Sequence, residues 1–197
     1  MKEIIHKIVS YPLVYDLCQS LAGAIRNREI LREEFSALPP EGKVVDVGGG
    51  TGLSRPLLPK SWSYYCLDPD PQKLEGFRSK FPNDDSLEAS ACEIPLPDNS
   101  IDLCIMVAVS HHLTGDEFQK SLLEIRRILK VGGIFILMDA VWNPGNWRGK
   151  ILWSLDRGSF PKTEESLRRC ISDHFSICKK RKWKIHHEYA LFWSKKA

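Results

Sequence analysis

From Tyr15 to Phe35 the apolar residues Leu17, Leu21, Ala24, Ile25, Leu31 and Phe35 recur at spacings near three and four, with polar residues between them. That period predicts an amphipathic helix, which Pro39-Pro40 ends. The pattern then changes. Val44-Val45-Asp46-Val47 is a short β-branched run stopped by Gly48-Gly49-Gly50, and a short helix from Leu53 is cut off near Pro59. The same cadence repeats: Ser63 to Leu67 as strand, Pro71 to Phe81 as helix, Leu87 to Ala91 as a short strand, Ile101 to Val107 as a buried strand, Asp116 to Leu129 as helix and Ile134 to Met138 as strand. The helix before Val131-Gly132-Gly133 is the best marked, with Thr114 as N-cap, Glu117 three residues on, and Phe118, Leu122, Ile125 and Leu129 on one face. Strands alternating with helices predict a doubly wound α/β fold, its mostly parallel sheet covered on both faces. Beyond Asp139 the cadence changes to a Gly-, Asn- and Trp-rich stretch, Trp142 to Gly149, then a helix from about Thr163 to Asp173. The tail, with Ala190-Leu191-Phe192-Trp193, reads as two more strands forming a C-terminal antiparallel hairpin.

A chain of 197 residues suits one domain and one core. It divides into a helical flap (1–40), a ligand-binding core (41–140) and a C-terminal helix with strands (141–197). With 43% hydrophobic and 27% charged residues, it is an ordinary globular composition rather than a disordered or fibrous one. The net charge of +3 does not by itself point to nucleic acid. Leu103 to Val109, the longest apolar run, is far short of the roughly 20 residues that cross a bilayer. The segment MKEIIHKIVSYPLVY, interrupted by His6, Lys7 and Ser10 and lacking a small-residue cleavage site, does not read as a secretory leader, so a cytoplasmic setting is expected. Cys18, Cys66, Cys92, Cys104, Cys170 and Cys178 form no CxxC pair, which favours buried, reduced thiols over a metal site or a disulfide framework.

The chemistry begins at Asp46-Val47-Gly48-Gly49-Gly50-Thr51-Gly52, a glycine-rich turn directly after a buried strand. In an open parallel sheet the carboxyl ends of the strands form the ligand crevice, and glycines let a ligand lie against backbone N–H groups. A phosphate loop needs GxxxxGK, which is absent, and a dinucleotide fingerprint needs glycine where Leu53 stands. Asp68 ends the next strand-like run, Tyr64-Tyr65-Cys66-Leu67, where a carboxylate is placed to accept hydrogen bonds from vicinal ribose hydroxyls. A nucleoside ligand follows.

VVDVGGGTGLS resembles the first motif of the class I S-adenosylmethionine-dependent methyltransferases, and CLDPD resembles the acidic end of that family's second strand. The resemblance continues through SACEIPLPDNSIDLCIMVAVSHHL and EIRRILKVGGIFILMDA, covering about Val44 to Ala140. It implies a Rossmann-like fold, S-adenosyl-L-methionine as cofactor and S-adenosyl-L-homocysteine as product. By position it implies that Gly48, Gly50 and Gly52, with Gly49 between them, contact the methionine part, that Asp46 orients its amino group, and that Asp68 holds the ribose beside Pro69. Ser90, Ala91 and Cys92 fall at the adenine edge and Val107 near the methionine part. Ser90 stands where the family often has Asp, which implies weaker or water-mediated recognition of the adenine amino group; Val131 replaces a frequent Pro.

Methyl transfer gains most from alignment and water exclusion, so a base is optional. His111 and His112, at the end of the fourth strand, are the candidate bases, weighed against an ordinary arrangement with His112 packed and His111 facing the cleft or solvent. On this reading His111 borders the pocket and alignment dominates. Tyr11, Tyr15, Ser110 and Trp142 are the candidate acceptor-pocket residues, with Trp147 and Trp153 in the same aromatic stretch as Trp142. Lys179-Lys180-Arg181-Lys182-Trp183-Lys184 is basic enough to attract RNA, acidic protein or lipid, but lysine protection of a strand edge is the favoured account. His186-His187 lacks the other ligands of a zinc site, and no catalytic metal is implied. The expected acceptor is a small or medium-sized molecule, lipid headgroup or sugar. RNA or protein reached through the basic tail, or a cofactor-binding subunit without catalysis, are the alternatives.

Overall fold

The computed structural model describes residues 24–145, 153, 160–185 and 187–197. Tyr11, Tyr15, Trp147 and the first part of the predicted N-terminal helix lie outside the described residues. Within them run α1 (Ala24–Phe35), β1 (Lys43–Val47), β2 (Ser63–Asp68), α2 (Pro71–Lys80), β3 (Asp85–Glu88), β4 (Ile101–Val107), α3 (Gly115–Ile128), β5 (Leu129–Val141), α4 (Glu164–Ser172), β6 (Ser176–Lys184) and β7 (Glu188–Lys195). The strands form one seven-stranded sheet in the order β3-β2-β1-β4-β5-β7-β6. The first five are parallel, while β7 runs antiparallel to both β5 and β6. This is the doubly wound sheet with a terminal hairpin that the alternating pattern predicts.

Side-chain alternation along the central strands builds a core on each face. Val45, Cys104 and Phe135 point to one side, where Phe118, Leu122 and Ile125 of α3 and Leu167 and Ile171 of α4 cover them. Val44, Leu103, Ile105 and Ile136 point to the other, under Ile30, Leu31 and Phe35 of α1 and Leu74 and Phe77 of α2. The helix starts carry the caps that their sequences encode. Thr114 and Glu117 form a reciprocal capping box, Asp70 accepts from the Gln72 and Lys73 N–H groups ahead of Pro71, and Thr163 accepts from Ser166.

Three boundaries differ from the sequence expectation. The predicted helix from Leu53 shrinks to a 3-10 turn, Arg55–Leu57, because Pro56 and Pro59 leave too few backbone donors to propagate a helix. The third strand lies at Asp85–Glu88 rather than Leu87 to Ala91, since pairing of Tyr65 with Asp85 and Asp68 with Glu88 fixes it, and a turn at Ser90 to Glu93 follows. It is an edge strand with little apolar alternation to read. The fifth strand starts at Leu129, not Ile134: Gly132, at φ +73, bends the chain, while Lys196 clamps both sides through Gly132 N–H to Lys196 O and Lys196 N–H to Gly133 O.

The cysteine expectation holds in part. Cys66 and Cys104 are buried thiols, Cys92 and Cys170 are half-buried, and Cys178 is exposed on β6. Cys18 lies outside the described residues.

The basic tail is strand β6 and its charges are paired. Lys179 reaches buried Glu34 of α1 at 2.6 Å, Arg181 reaches Glu33 at 2.6 Å, Lys180 and Lys182 reach Glu164, and Lys182 and Lys184 reach Glu188. With Trp183 donating to Asn27 at 2.9 Å, these contacts fasten the edge of the sheet to α1 and α4. Glu34 is only 2% exposed, so losing Lys179 strands a buried carboxylate beside a single remaining cation, Arg181 at 3.5 Å. Lys179→Met is therefore expected to cost about 1–2 kcal/mol in urea denaturation, below the range for fully buried pairs because the lysine is largely exposed. Lys184→Met, whose partner lies at 4.0 Å, should stay within about 0.5 kcal/mol.

Candidate functional site

The turn after β1 is drawn onto the end of β2 because the N–H groups of Gly48 and Gly49 both donate to Leu67 O, at 2.7 and 3.1 Å. Two of its glycines are required by packing as well as by backbone: at Gly48 (φ +75) a side chain would overlap Val109, and at Gly52 (φ +78) it would strike the Phe77 ring. Gly50 differs. Its φ of +55 also calls for glycine, yet a Cβ there would meet only Lys73 Cδ at 3.6 Å and Asp68 Oδ2 at 3.8 Å, so the turn presents open backbone at that point. Gly49 lies against Cys66 and Asp46.

Two carboxylates flank this turn. Asp68, 2% exposed at the end of β2, accepts from Gly50 N–H at 3.1 Å through Oδ2 and from Asp70 N–H at 2.9 Å through Oδ1, with Lys73 Nζ 3.7 Å away. Each oxygen thus retains acceptor capacity beside the open Gly50 face. Asp46 lies beneath the turn and accepts from the Tyr64 hydroxyl. Burial raises its carboxyl to about 6, against the opposing hydrogen bonds from Tyr64 and Ser54, and the charge of Asp68 adds to the rise. Pro69 and Ser90 are exposed beside this edge. Ser90 Oγ accepts from Cys92 N–H at 3.1 Å, Ala91 is 8% exposed, and Cys92 Sγ donates to Glu117 O.

Beyond half-buried Val107, Ala108 adopts φ +56, uncommon for a residue with a Cβ, and turns the chain so that Val109 packs on Gly48. The following turn, Ser110–His112, reverses the sequence expectation for the two histidines. His111 is 6% exposed and His112 is the exposed one, its ring 4.1 Å from that of His111. The cause is Asp139 at the end of β5. Its Oδ1 lies 2.7 Å from His111 Nδ1, its Oδ2 accepts from Ser110 Oγ at 2.5 Å and from His111 N–H at 3.3 Å, and Ala140 N–H donates to Oδ1 at 2.8 Å. Burial opposes the charge on Asp139, but His111, Ser110 and Ala140 outweigh it and hold the carboxyl below the ordinary range. Ser110, a candidate for the pocket wall, is 1% exposed.

The C-terminal segments close over this histidine. Phe160 N–H donates to His111 O at 3.0 Å and Trp142 N–H to Lys162 O at 2.8 Å, leaving Trp142 half-buried. Lys162 Nζ donates to the carbonyls of Ser110 and Leu113 at 2.7 and 2.6 Å. Pairing of Ala140 with Tyr189 sets the β6–β7 turn at the same edge of the sheet. Aromatic contacts therefore run from His111 to Trp153 at 5.4 Å, on to His187 at 5.1 Å, and from His187 to Tyr189 at 6.2 Å. Asp139, Lys162, His187 and Tyr189 escaped the sequence reading. Asp139 had a signal, an acid ending an otherwise apolar strand; His187 was weighed only as a metal ligand, and nothing marked Lys162 or Tyr189.

A groove of about 770 Å³ lined by Arg55, Trp62, Tyr64, Phe81 and Asp84 lies where the chain enters β2 and β3. That is the amino edge, opposite the end at which parallel sheets bind ligands, and the Arg55–Asp84 ion pair at 2.6 Å spans it. The carboxyl edge, with Gly50, Asp68, His111 and Asp139, is the candidate site.

Asp46 carries a stability consequence. Its carboxyl has a higher pKa folded, about 6, than its ordinary 3.8, so its contribution is fully present below the ordinary value and is lost as pH rises through 6. Asp46→Asn is expected to stabilise the protein by about 1–3 kcal/mol near pH 7.5, a gain that shrinks toward pH 4. Urea denaturation at both pH values checks it; a constant difference would mean that the carboxylate charge is fully offset in the folded state.

A family model described as a methyltransferase domain matches residues 45–137. An uncharacterized methyltransferase of Mycobacterium tuberculosis is 34% identical over 139 residues, 65% of this chain and 54% of that protein. One from Synechocystis is 30% identical over 142 residues, 70% of this chain and 66% of that protein. The chain thus spans about half the length of the mycobacterial relative. Among solved structures, geranyl diphosphate C-methyltransferase of Streptomyces coelicolor A3(2), with Mg2+, geranyl diphosphate and S-adenosyl-L-homocysteine, superposes with a TM-score of 0.72 at 12% identity, covering 88% of this chain and 81% of that one. A SAM-dependent methyltransferase from Aquifex aeolicus gives 0.67 at 20% identity, covering 86% and 89%. These last two likenesses concern the fold. The sequence matches place the chain in the methyltransferase family that the matched domain model describes.

Proposed function

We propose that the chain binds S-adenosyl-L-methionine across its glycine turn and transfers the methyl group to a small or medium-sized acceptor, releasing S-adenosyl-L-homocysteine. The observation that carries this reading is the pairing of Asp68 with Gly50: a buried carboxylate with acceptor capacity to spare stands beside the one glycine of the turn whose face is open. Asp68 suits vicinal ribose hydroxyls, which donate where a phosphate would be repelled. Gly48, Gly50 and Gly52 shape the bed for the methionine part, with Asp46 beneath it and Val107 alongside. Pro69, Ser90, Ala91 and Cys92 border the adenine end.

The bound group supplies an electrophilic methyl on a sulfonium. The chain's own residues position the acceptor and exclude water: His111, Trp142, Trp153, His187 and Tyr189 form a largely aromatic wall at the same edge. A small acceptor, whether a free molecule, lipid headgroup or sugar, suits such a wall, and geranyl diphosphate occupies the Streptomyces protein of the same fold. The paired charges of β6 weigh against an RNA or protein acceptor held by the basic tail.

Calorimetry tests the reading. S-adenosyl-L-methionine or its demethylated product is expected to bind with micromolar-order affinity, more tightly than NADH or ATP. Asp68→Ala should lose about 2–4 kcal/mol of that binding while remaining folded. Tighter binding of NADH would overturn the cofactor, and unchanged affinity in a folded Asp68→Ala protein would remove Asp68 from the site.

A further inference from the structure

Lys73 stands at the open part of the glycine turn, and the methyl-transfer reading gives it no task. Its placement follows from the start of α2. Asp68 Oδ1 accepts from Asp70 N–H at 2.9 Å, and Asp70 Oδ1 accepts from the N–H groups of Gln72 and Lys73 at 2.9 and 3.4 Å, so the helix is tied to the end of β2. Pro69 and Pro71 fix the backbone on either side of that cap. Residues three and four apart then share a helix face. Phe77 lies against Gly52, Gly76 faces Thr51, and Lys73 faces Gly50. One face of α2 thus runs along the glycine turn, from a buried end at Phe77 to an open end at Lys73.

The lysine side chain lies over the turn. Its Cδ is 3.6 Å from the position a Gly50 Cβ would take, and its Nζ is 3.7 Å from Asp68 Oδ2, with the side chain 54% exposed. At that separation the ammonium and the carboxylate attract each other without a hydrogen bond. A half-exposed pair of this kind adds little stability, and the Asp68 and Asp70 bonds already hold the helix to the strand. What the pair offers is two opposite functions side by side: Asp68 accepts hydrogens, and Lys73 only donates them.

We propose that Lys73 is a cofactor-binding residue that acts with Asp68 as a two-sided clamp on the ribose, its ammonium donating to the oxygen of a hydroxyl whose hydrogen goes to Asp68. The inference rests on the methyl-transfer reading and deepens it. A hydroxyl satisfies both partners at once, because it donates one hydrogen and still accepts on its oxygen. One oxygen at about 2.8 Å from each group bridges their 3.7 Å separation. A deoxy position offers neither function, so the clamp selects a ribonucleoside with its free diol. The rival partner for Lys73 is the α-carboxylate of the methionine part, which the proposed binding mode also lays over the turn. The two are separable, since 5′-methylthioadenosine keeps the ribose and lacks that carboxylate.

Calorimetry on the full chain tests this without any acceptor, with S-adenosyl-L-homocysteine and 5′-methylthioadenosine as the probes. Lys73→Met keeps an unbranched apolar stem and removes the donor. It is expected to weaken both probes at least about threefold. With the 2′-deoxy and 3′-deoxy forms of 5′-methylthioadenosine, the penalty of the substitution should drop below threefold for at least one, which marks the hydroxyl that Lys73 meets. Lys73→Ala takes the place of the methionine variant if that one does not fold. A penalty under threefold with 5′-methylthioadenosine overturns the clamp, and if S-adenosyl-L-homocysteine alone is weakened, Lys73 belongs to the carboxylate. A penalty of threefold or more with both deoxy forms overturns it too. If the wild-type chain binds neither probe, the methyl-transfer reading fails and the clamp with it, whereas binding left unmoved by Lys73→Met removes the clamp alone.

Discussion

Three buried carboxylates at the carboxyl edge of the sheet set the terms for everything built there. Asp46, Asp68 and Asp139 are each 2% exposed, on β1, β2 and β5, in a sheet whose faces are otherwise closed by apolar helices. A carboxylate removed from water persists only with donors that replace its hydration. Each aspartate therefore dictates its surroundings. Asp68 takes the Gly50 and Asp70 N–H groups, which couples the glycine turn to the start of α2, and Asp139 takes Ser110, His111 and Ala140, which couples the end of β4 to β5. Asp46 accepts from the Tyr64 hydroxyl, and burial pushes its carboxyl upward.

The antiparallel strand β7 matters to this edge more than its terminal place in the chain suggests. Its register against β5, Asp139 opposite Ala190 and Val141 opposite Glu188, puts the β6–β7 turn beside the end of β4. His187 and Tyr189 reach the site only by that reversal; a parallel strand would deliver its turn at the far edge. The ion pairs of β6 with Glu33, Glu34 and Glu164 protect an exposed strand edge and also hold the hairpin down. One basic segment thus supports this edge through the sheet.

What was legible in the sequence is what short-range physics determines. The glycine turn, the acid at Asp68, the Thr114–Glu117 capping box and the two-sided burial of β1 and β4 follow from residues close together in the chain. The position of β3 was not legible, because its register depends on β2 and its own pattern is polar. The short turn at Arg55 was missed because two prolines outweigh a plausible helical period. The exchange of His111 and His112 between buried and exposed depends on Asp139, which lies in another strand and touches His111 only after β4 and β5 have paired in register, Val107 opposite Met138. No spacing rule connects those two residues.

The charge balance of the edge leaves two of these aspartates in tension. Asp68 raises the pKa of Asp46 through the turn, while Lys73, 3.7 Å from Asp68 and half-exposed, offsets only the outer side of that pair. Repulsion between Asp46 and Asp68 is therefore left partly uncompensated at the place where the open face of Gly50 offers room. A ligand bearing an ammonium and a sulfonium beside two hydroxyls meets both needs: its positive charge relieves the repulsion and its hydroxyls fill the acceptor capacity of Asp68. A nucleotide would add phosphate charge to the same spot and worsen it. On the proposed reading, discrimination against phosphorylated cofactors would come from the two carboxylates that flank the turn.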